Sequence, residues 1–387
     1  MNRPSFSKKA LIIASMASMI DNFNRSNIEI LHNLGYEITL AASFGLEDSN
    51  SQEKNKQFYD EMTAKGYKIV PIDFSRSMTN IRQQIKSYRQ LKKLLKDKYD
   101  LVHCHSPICS VLTRLAYRRY RKEYNGHIIY TAHGFHFYDG APLMNWVVFY
   151  PVEKLMSRYT DALITINRED YQRAKKNFHA KQTLYVPGVG VDTGKFSSCC
   201  IDVKAKRESI GVPADAFLLM SVGELNDNKN QAVIVRALAK LHNPAVHYAV
   251  VGMGDNHDML LQLAGESGVS GQLHLLGYRT DVPELYRAAD VCVFPSIREG
   301  LPVAVIEGMA AGLPFVASEN RGTADLLTSD NSIMCRYDDD AAFCDGIRVL
   351  MENEELRRSM GQNNQEQSGK YDISVIRGMM TDIYRNM

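Results

Sequence analysis

Short apolar runs rich in β-branched residues recur along the 387-residue chain and alternate with stretches of helical character. Strand-like runs of the first half lie at 10–15, 37–43, 67–73, 100–106, 127–134, 161–167 and 182–192. After a polar stretch at 197–213 the pattern restarts, with runs at 217–225, 246–254, 273–278, 290–296 and 314–319. Alternation of strand and helix predicts parallel sheets covered by helices on both faces.

The length and the restart together predict two doubly wound, Rossmann-like α/β domains in tandem, because a single core rarely grows this large. We expect an N-terminal domain at 1–195, a C-terminal domain at 196–370 and a terminal amphipathic helix at 371–387. Apolar residues of that last segment fall at near-helical spacing, which favours docking on the N-terminal domain over a coiled coil or a membrane-surface helix.

The beginning of the chain resembles a signal peptide, with a basic start and an apolar centre, but residues 11–15 are better interpreted as a first strand. No apolar run approaches the roughly 18 residues of a membrane span. The seven cysteines are odd in number and lack Cys-x-x-Cys spacing. These features predict a cytoplasmic protein without a zinc or redox site.

Charge is distributed unevenly, although the net charge is only +2. Residues 1–196 carry 29 Lys+Arg and 18 Asp+Glu, whereas residues 197–387 carry 17 and 26. A basic half suggests an anionic partner, and the absence of an aromatic-interleaved basic motif argues against nucleic acid. An anionic membrane surface remains as a hypothesis, beside an ordinary solvated face, for the basic residues Arg82, Lys86, Arg89, Lys92, Lys93, Lys96, Lys98, Arg114, Arg118, Arg119, Arg121 and Lys122. The run 141–150, with the only tryptophan, is interpreted as a contact with lipid or acceptor, or as core.

The segment SIREGLPVAVIEGMAAGLP at 296–314 is the most informative stretch of the second half. It follows a strand-like run, and ligands of parallel sheets bind at the carboxyl ends of strands. Pro302 suits the start of a helix, whose first N–H groups form an anion site, and Gly300 permits close approach. Glu299 and Glu307 then have the hydrogen-bonding capacity to hold sugar hydroxyls, and Lys229 to neutralise phosphate. The alternative is that Glu307 is exposed and Glu299 only caps the helix.

This segment resembles the E-x7-E motif of retaining glycosyltransferases of family 4, which have the GT-B fold. SVGELNDNKN, VVGMGD, LLGYRTDVPELYRAADVCVFPS and GVGVDTGKF match the family in order, so the resemblance covers nearly the whole chain. ASMASMIDNFN, DLVHCHSP, YTAHGFHFY and PVEKLMSRYTDALITIN are similar to the branch that acts in bacterial capsular and exopolysaccharide synthesis. The resemblance implies that the two domains face a cleft, with the donor on the C-terminal domain and the acceptor on the N-terminal one.

The resemblance also implies roles for individual residues. Glu307 would bind the ribose and Glu299 the donor sugar, where it would help to stabilise the transition state. Lys229 would hold the diphosphate together with the backbone of Gly300, Leu301, Pro302 and Val303. The remaining donor-side residues would be Tyr278 and Arg279 beside the base, together with Gly223 and Asn228. One departure is Glu224, where the family usually has Arg, so either a second phosphate cation would come from elsewhere, such as Arg279 or Arg298, or Glu224 would have another role.

Histidines mark the strand ends of the first half. By resemblance, His133 would orient the donor sugar, with His136 as an alternative. His103 and His105 lie two apart on one strand, and we expect them to face opposite ways, with His105 toward the cleft and His103 in the core. A metal site formed by these histidines is disfavoured, because no carboxylate accompanies them.

Two further acidic features have competing interpretations. Asp21 is expected in a loop after the first strand, where it would contact an acceptor hydroxyl or cap the next helix. The family's usual Gly-rich turn is absent there. The run at 338–340 looks like a metal-binding DxD motif but is better interpreted as a solvated loop, so no metal cofactor is expected.

The sequence therefore predicts a retaining, metal-independent glycosyltransferase, transferring a hexosyl or N-acetylhexosaminyl group from a UDP-sugar to a polyprenyl-diphosphate-linked glycan. It would act peripherally at the inner face of the cell membrane. By resemblance, attack occurs on the front face of the sugar and the departing phosphate takes the acceptor's proton. The alternatives are a UDP-sugar 2-epimerase of similar fold and a non-catalytic nucleotide-binding subunit.

Overall fold

Two parallel sheets organise the protein, and each belongs to its own unit. The computed structural model describes residues 8–45, 52–75, 77 and 79–387, apart from the side chain of Lys122. The basic start of the signal-like segment, residues 1–7, lies outside the described residues. One unit comprises the chain up to Val189 together with Ile376–Met387, and the other comprises Gly190–Val375.

The first unit alternates strands and helices through most of its length. Its elements are β1 Lys8–Met16, α1 Ala17–Phe23, α2 Arg25–Asn33, β2 Tyr36–Ser43, α3 Gln52–Ala64, β3 Lys68–Pro71, α4 Ile81–Leu94, β4 Leu101–His105, α5 Pro107–Tyr124, β5 His127–Ala132, α6 Leu143–Ser157, β6 Ala162–Thr165, α7 Arg168–Asn177 and β7 Gln182–Tyr185.

The second unit repeats the alternation and ends in three helices. Its elements are α8 Thr193–Ser197, α9 Val203–Ser209, β8 Phe217–Val222, α10 Gln231–Leu241, β9 Val246–Val251, α11 His257–Glu266, β10 Leu273–Leu275, α12 Val282–Ala288, β11 Val291–Phe294, α13 Val303–Ala310, β12 Phe315–Ser318, β13 Ser332–Cys335, α14 Asp340–Glu352 and α15 Glu354–Ser368. The last helix, α16 Ile373–Arg385, begins here and continues in the first unit.

Both sheets have a point where the strand order reverses. The first runs β3-β2-β1-β4-β5-β6-β7 and the second β10-β9-β8-β11-β12-β13, with every pairing parallel. Order reverses between β1 and β4, and again between β8 and β11. Such reversals open a crevice at the carboxyl ends of the two central strands, which is where ligands of doubly wound sheets bind. The predicted α/β architecture of two Rossmann-like sheets is confirmed.

Burial explains why the strands are continuous apolar runs. In β1, Leu11 and Ile13 enter one core cluster while Ile12 and Ala14 enter another, because neighbouring side chains point to opposite faces. Both faces of the sheet are covered, so neither set can be polar.

The terminal helix completes one of these clusters. Ile376, Met380 and Tyr384, spaced four residues apart on α16, are buried against Ile12 and other residues of the first unit. The prediction that this helix docks on the N-terminal domain is confirmed. Within the described residues, none of the helices has the length and apolar content needed to cross a membrane.

Candidate functional site

The loops after β8 and β11 meet at the reversal point of the second sheet. The N–H of Ile297 donates to the carbonyl of Asn228 at 2.8 Å, and the side-chain amide of Asn228 donates to the carbonyl of Arg298 at 3.0 Å. These bonds bring Lys229 and Glu299, 70 residues apart, to a distance of 2.6 Å between Nζ and Oε1. Sequence reasoning placed both at strand ends, and the structure brings them together.

The Lys229–Glu299 pair is held in a partly dehydrated position. The side chains are only 22% and 14% exposed, and the ammonium lies 5.3 Å from the centre of the Phe294 ring. Glu299 therefore pairs with a cation and does not merely cap the following helix. An ammonium has three N–H donors, so Lys229 can bind a phosphate while it keeps its carboxylate partner.

The amino end of α13 lies directly after this pair. Its N-cap is Pro302, which offers no side-chain cap, and the carbonyl of Pro302 accepts from the N–H of Val305. The N–H groups of the first turn consequently carry the positive end of the helix dipole without a side-chain acceptor. Gly312, with φ +77°, ends the segment just beyond the helix, as its sequence predicts.

Glu307 lies in the second turn of α13 and is half-buried. Burial raises the pKa of its carboxyl to about 7, and Lys195 opposes this shift. Its carboxylate accepts no hydrogen bond from the part of the chain that the structure describes. The alternative of a fully exposed Glu307 is wrong, because its neighbours on the helix leave little polar surface.

Glycines let a second loop pack against the first. A Cβ added at Gly252 would lie 1.9 Å from the carbonyl oxygen of Gly223, and one at Gly254 would lie 2.2 Å from that of Leu225. The N–H of Leu225 also donates to the carbonyl of Met253 at 3.0 Å. This packing fixes Gly223 and the start of the Lys229 loop, for which side chains at either glycine would leave no room.

A third loop, 320–323 after β12, supports Glu299 and was missed from the sequence. Arg321 donates from Nε to the carbonyl of Glu299 at 3.2 Å, and a Cβ at Gly322 would lie 2.9 Å from the Cβ of Glu299. Asn320 holds this loop by accepting from the N–H groups of Gly322 and Thr323. The available signal was a polar, Gly-containing stretch at the next strand end.

The two residues predicted to lie beside the base, Tyr278 and Arg279, differ in exposure and in their contacts. Tyr278 is 68% exposed, whereas Arg279 binds both carboxylate oxygens of Asp281, at 2.8 and 2.6 Å. Glu224 is exposed and accepts from the side chain of Asn226 at 3.0 Å. Arg298 is exposed and pairs with no carboxylate among the described residues, so of the two candidate phosphate cations it is the one without a competing partner.

Three histidines form a chain at the carboxyl ends of β4 and β5 in the first unit. His103 lies 2.7 Å from the hydroxyl of Tyr384 and 2.8 Å from that of Thr131, and His105 lies 3.0 Å from His133. The expectation that His103 and His105 face opposite ways was wrong. Their ring centroids are 4.2 Å apart, because residues two apart on a strand share a face.

These imidazoles are held in their neutral form. Burial lowers the pKa of His103 to about 3 and that of His133 to about 4, and that of His105 well below its usual range. Nε2 of His105 is buried without a partner in the described chain, and His105 and His133 both line a cavity of about 30 Å³. A cavity of this size can take a water molecule. Neutral imidazoles suit hydrogen bonds to hydroxyls better than binding of phosphate.

Asp21 and His136 occupy other surroundings. Asp21 is buried in α1, and Arg25 donates to it from Nε at 2.7 Å while also binding Glu61 with both terminal nitrogens. The expected loop is therefore a helix, and the ion pair replaces the expected cap of the next helix. The ring of His136 stacks on Phe149 at 4.5 Å.

Two charged features are structural. Asp339 caps α14 by accepting from the N–H of Ala342, and Asp340 pairs with Lys240, so the acidic run starts a helix. Arg114 was expected on the basic surface, and this was wrong: it is 1% exposed and binds Glu153 at 2.8 Å. Lys122 lies in α5, but its side chain is outside the described residues.

Among described residues, no group of three or more His, Cys, Asp or Glu could hold a metal ion.

Comparisons with known proteins agree with this geometry. The family model described as Glycosyltransferase Family 4 matches residues 26–195, and that of Glycosyl transferases group 1 matches residues 202–367. The putative glycosyltransferase EpsD of Bacillus subtilis (strain 168) is 37% identical over 383 residues, covering 97% of this chain and 96% of the relative. The chain is a family 4 glycosyltransferase.

A further relative and a solved structure extend the comparison. An Escherichia coli protein named UDP-Gal:alpha-D-GlcNAc-diphosphoundecaprenol alpha-1,3-galactosyltransferase is 28% identical over 289 residues, covering 73% of this chain and 74% of the relative. HepE of Anabaena, in a crystal structure with UDP, superimposes with a TM-score of 0.78 at 18% identity, covering 98% of this chain and all of that one. The fold of the family 4 glycosyltransferase is thus GT-B, and the epimerase and non-catalytic alternatives are not favoured.

Proposed function

We propose that this glycosyltransferase transfers a hexosyl or N-acetylhexosaminyl group from a UDP-sugar to a hydroxyl of a polyprenyl-diphosphate-linked glycan, with retention of configuration. The product would be an intermediate of capsular polysaccharide or exopolysaccharide. The observation that carries the proposal is the Lys229–Glu299 pair beside the uncapped amino end of α13. The name of the Escherichia relative, a UDP-galactose-dependent transferase acting on a diphosphoundecaprenol-linked sugar, supports the same donor and acceptor classes.

Each donor-side group has a role that follows from its chemistry. The first N–H groups of α13 and Lys229 bind the diphosphate and stabilise the charge that develops on it as the sugar departs. Glu299 accepts hydrogen bonds from sugar hydroxyls while it positions Lys229. Glu307, in its ionised form, accepts from the two ribose hydroxyls.

The groups of the first unit act on hydroxyls. We assign to neutral His133 a hydrogen bond that orients the transferred sugar, and to His105, whose Nε2 lacks a partner, a hydrogen bond on the acceptor side. No general base is required when the departing phosphate takes the acceptor's proton. Asp21 is assigned an indirect role, since its ion pair with Arg25 joins α1, which follows β1, to α2.

The reaction needs no metal in this proposal, because Lys229, Arg298 and the α13 dipole meet the charge of the diphosphate. Activity should survive an excess of EDTA. Loss of transfer on chelation, with recovery on addition of Mg²⁺ or Mn²⁺, would contradict this part of the proposal. We also place the enzyme at the inner face of the cell membrane, where a lipid-linked acceptor resides.

Product analysis tests the proposal as a whole. The enzyme is incubated with a panel of UDP-sugars, each with and without a polyprenyl-diphosphate-linked sugar, and the anomeric configuration of the product is read by NMR. We expect a glycoside with the configuration of the donor, formed only when the acceptor is present. Formation of a 2-epimer without acceptor, or an inverted linkage, would refute it.

A further inference from the structure

Helix α6 exposes an apolar face that no other part of the described chain covers. Its exposed residues are all apolar: Leu143, Met144, Val147, Val148, Pro151, Val152 and Leu155. Leu143, Met144 and Val147 are 77%, 67% and 61% exposed. We call these seven residues the α6 face. A soluble protein rarely presents a continuous apolar surface of this kind without a partner.

Exposed apolar side chains are concentrated on α6 more strongly than chance exposure would explain. Among described residues, 17 large hydrophobic side chains are exposed, and six of them lie on the 15-residue helix α6. Two more, Ile81 and Ile85, are on α4, which packs with α6 on α5. The opposite side of α6 is anchored by Glu153, which is buried with Arg114 and accepts from the Tyr130 hydroxyl at 3.2 Å. The only carboxylate of α6 is thereby kept away from the exposed side.

Cations outnumber carboxylates on α4, α5 and α6 taken together. Helix α4 contains no Asp or Glu, α5 contains only Glu123, and α6 only Glu153. Exposed cations on α4 are Arg82, Lys86, Arg89, Lys92 and Lys93, of which Lys86 pairs with Asp73. At the far ends of α5 and α6, an open cavity of about 770 Å³ is lined by several cations, including Arg118, Arg119 and Arg158. These three arginines are exposed and pair with no carboxylate in the described chain.

We propose that the α6 face lies in the head-group region of an anionic lipid bilayer, with the cations of α4 and of the α5 and α6 ends on lipid phosphates. An apolar helix face with flanking cations has the composition of an interfacial membrane helix. The cations distinguish this occupant from a second copy of the chain, whose identical face would bring like charges together. The inference rests on the proposed function in supposing a lipid-linked acceptor, but its central test does not need activity.

A groove connects the α6 face with the crevice of the first sheet. A cavity of about 190 Å³ between α4, α5 and α6 is lined by Val148 and Val152 of the face. It shares Ile108 and Phe149 with a cavity of about 560 Å³, which reaches Met16 at the end of β1 and other residues at the end of β4. A membrane-embedded α6 would thus place this crevice, where the order of strands reverses, within reach of a lipid-anchored substrate.

Vesicle flotation tests the membrane contact directly. Full-length protein is mixed with phosphatidylglycerol/phosphatidylethanolamine vesicles or with neutral phosphatidylcholine vesicles and centrifuged through a density gradient. We expect flotation with anionic vesicles, weakened by added salt. The double variant Leu143→Gln/Val147→Gln should reduce the partition coefficient roughly tenfold or more. The matched control is Leu261→Gln/Val349→Gln, which changes two exposed apolar residues of the second unit and should float like the wild type.

Fluorescence of the single tryptophan provides a second measurement of membrane contact. Trp146 lies on α6, so lipids brominated in their acyl chains should quench its emission on binding. This quenching should be absent in the double variant Leu143→Gln/Val147→Gln, called the α6 variant below. Absence of flotation for the wild type, or equal flotation of both double variants, would overturn the proposal. A wild-type dimer that the α6 variant converts to a monomer, without vesicle binding, would assign the face to a second copy and also overturn it.

Activity separates this inference from the proposed function. With an acceptor that carries a short alkyl group and stays in solution, the α6 variant should transfer sugar within about twofold of the wild type, because neither Leu143 nor Val147 lines the cavity of His105 and His133 or the cavity at the end of β1. With a long-chain acceptor in vesicles it should be impaired at least tenfold. If the wild type transfers no sugar to either acceptor while the flotation pattern holds, the proposed function fails and the membrane contact stands.

Discussion

The two sheets carry different chemistry at the carboxyl ends of their strands. At the reversal point of the second sheet, Lys229 and Glu299 form an ion pair beside the positive end of a helix. At the carboxyl ends of β4 and β5 in the first, His105 and His133 are held neutral by burial, next to an apolar groove. A charged edge suits a diphosphate, and a neutral edge suits hydroxyls and lipid. In the proposed function, the second sheet therefore handles the charged part of the donor and the first sheet handles hydroxyls.

The largest loss of activity should follow from removing the charge on the donor side. Lys229→Ala should lower kcat/KM by about 10²–10³-fold, because the diphosphate loses a partly dehydrated cation when charge develops on it. Steady-state release of UDP from a productive UDP-sugar and acceptor measures this. Lys240→Ala, which removes another ion-paired lysine of the same unit, is the control and should leave kcat/KM unchanged. More than half the activity remaining in Lys229→Ala would remove this residue from the site.

Substitution of the neutral histidines of the first sheet should reduce activity less than substitution of Lys229. His133→Ala should lower kcat by about 10–100-fold through loss of one orienting hydrogen bond, and His133→Asn should recover part of that loss because an amide also donates and accepts. His136→Ala serves as the comparison, since the ring of His136 stacks on Phe149 and was the alternative candidate for this role. A larger effect at His136 than at His133 would exchange the two assignments.

The pH dependence of donor binding sharpens the contrast further. The pKa of Glu307 is raised to about 7, whereas that of His133 is lowered to about 4, so of these two groups only Glu307 should titrate between pH 6 and pH 8. In the proposed function the ribose hydroxyls donate to the ionised carboxylate of Glu307, so affinity should be present above the raised pKa and be lost as the pH falls through it. At pH 6 about one-tenth of the carboxyls are ionised, and Kd for the UDP-sugar should be about tenfold weaker than at pH 8.

Calorimetric titration of the wild type and Glu307→Gln at both pH values provides the measurement. The Gln variant should bind more weakly at pH 8 and show little change with pH, because its amide does not titrate. An unchanged pH profile in that variant would assign the titration to another group and contradict the ribose role of Glu307.

The smallest expected effect concerns stability on the neutral side. Tyr384→Phe removes the hydroxyl that bonds Nδ1 of buried His103, and should lower the free energy of unfolding by about 1–2 kcal/mol. Tyr278→Phe, at an exposed position of the second unit, should change it by less than about 0.5 kcal/mol. Thermal unfolding of both variants compares them. Equal midpoints would mean that the contact between α16 and β4 contributes nothing to stability.

Much of the donor side could be predicted because its signals are local. Glu299, Pro302 and Glu307 belong to one loop and helix, so spacing alone places them relative to one another. Helices with few apolar anchors were missed. In α3, Phe58 and Met62 are the buried apolar residues of a 13-residue polar segment, which is too weak a periodic pattern to recognise. Asp21 was misplaced in a loop for a similar reason, since α1 has only seven residues.

The sequence by itself determined the class of fold, the strand ends and the family, because apolar periodicity and contiguous motifs are written along the chain. Only the tertiary structure decided which strand ends are neighbours, and hence that Lys229 meets Glu299 and that His105 meets His133. It also decided that Arg114 is buried while the apolar side of α6 is exposed. The physical reason is that pairing order and burial depend on contacts between distant segments, and residue type alone does not state them.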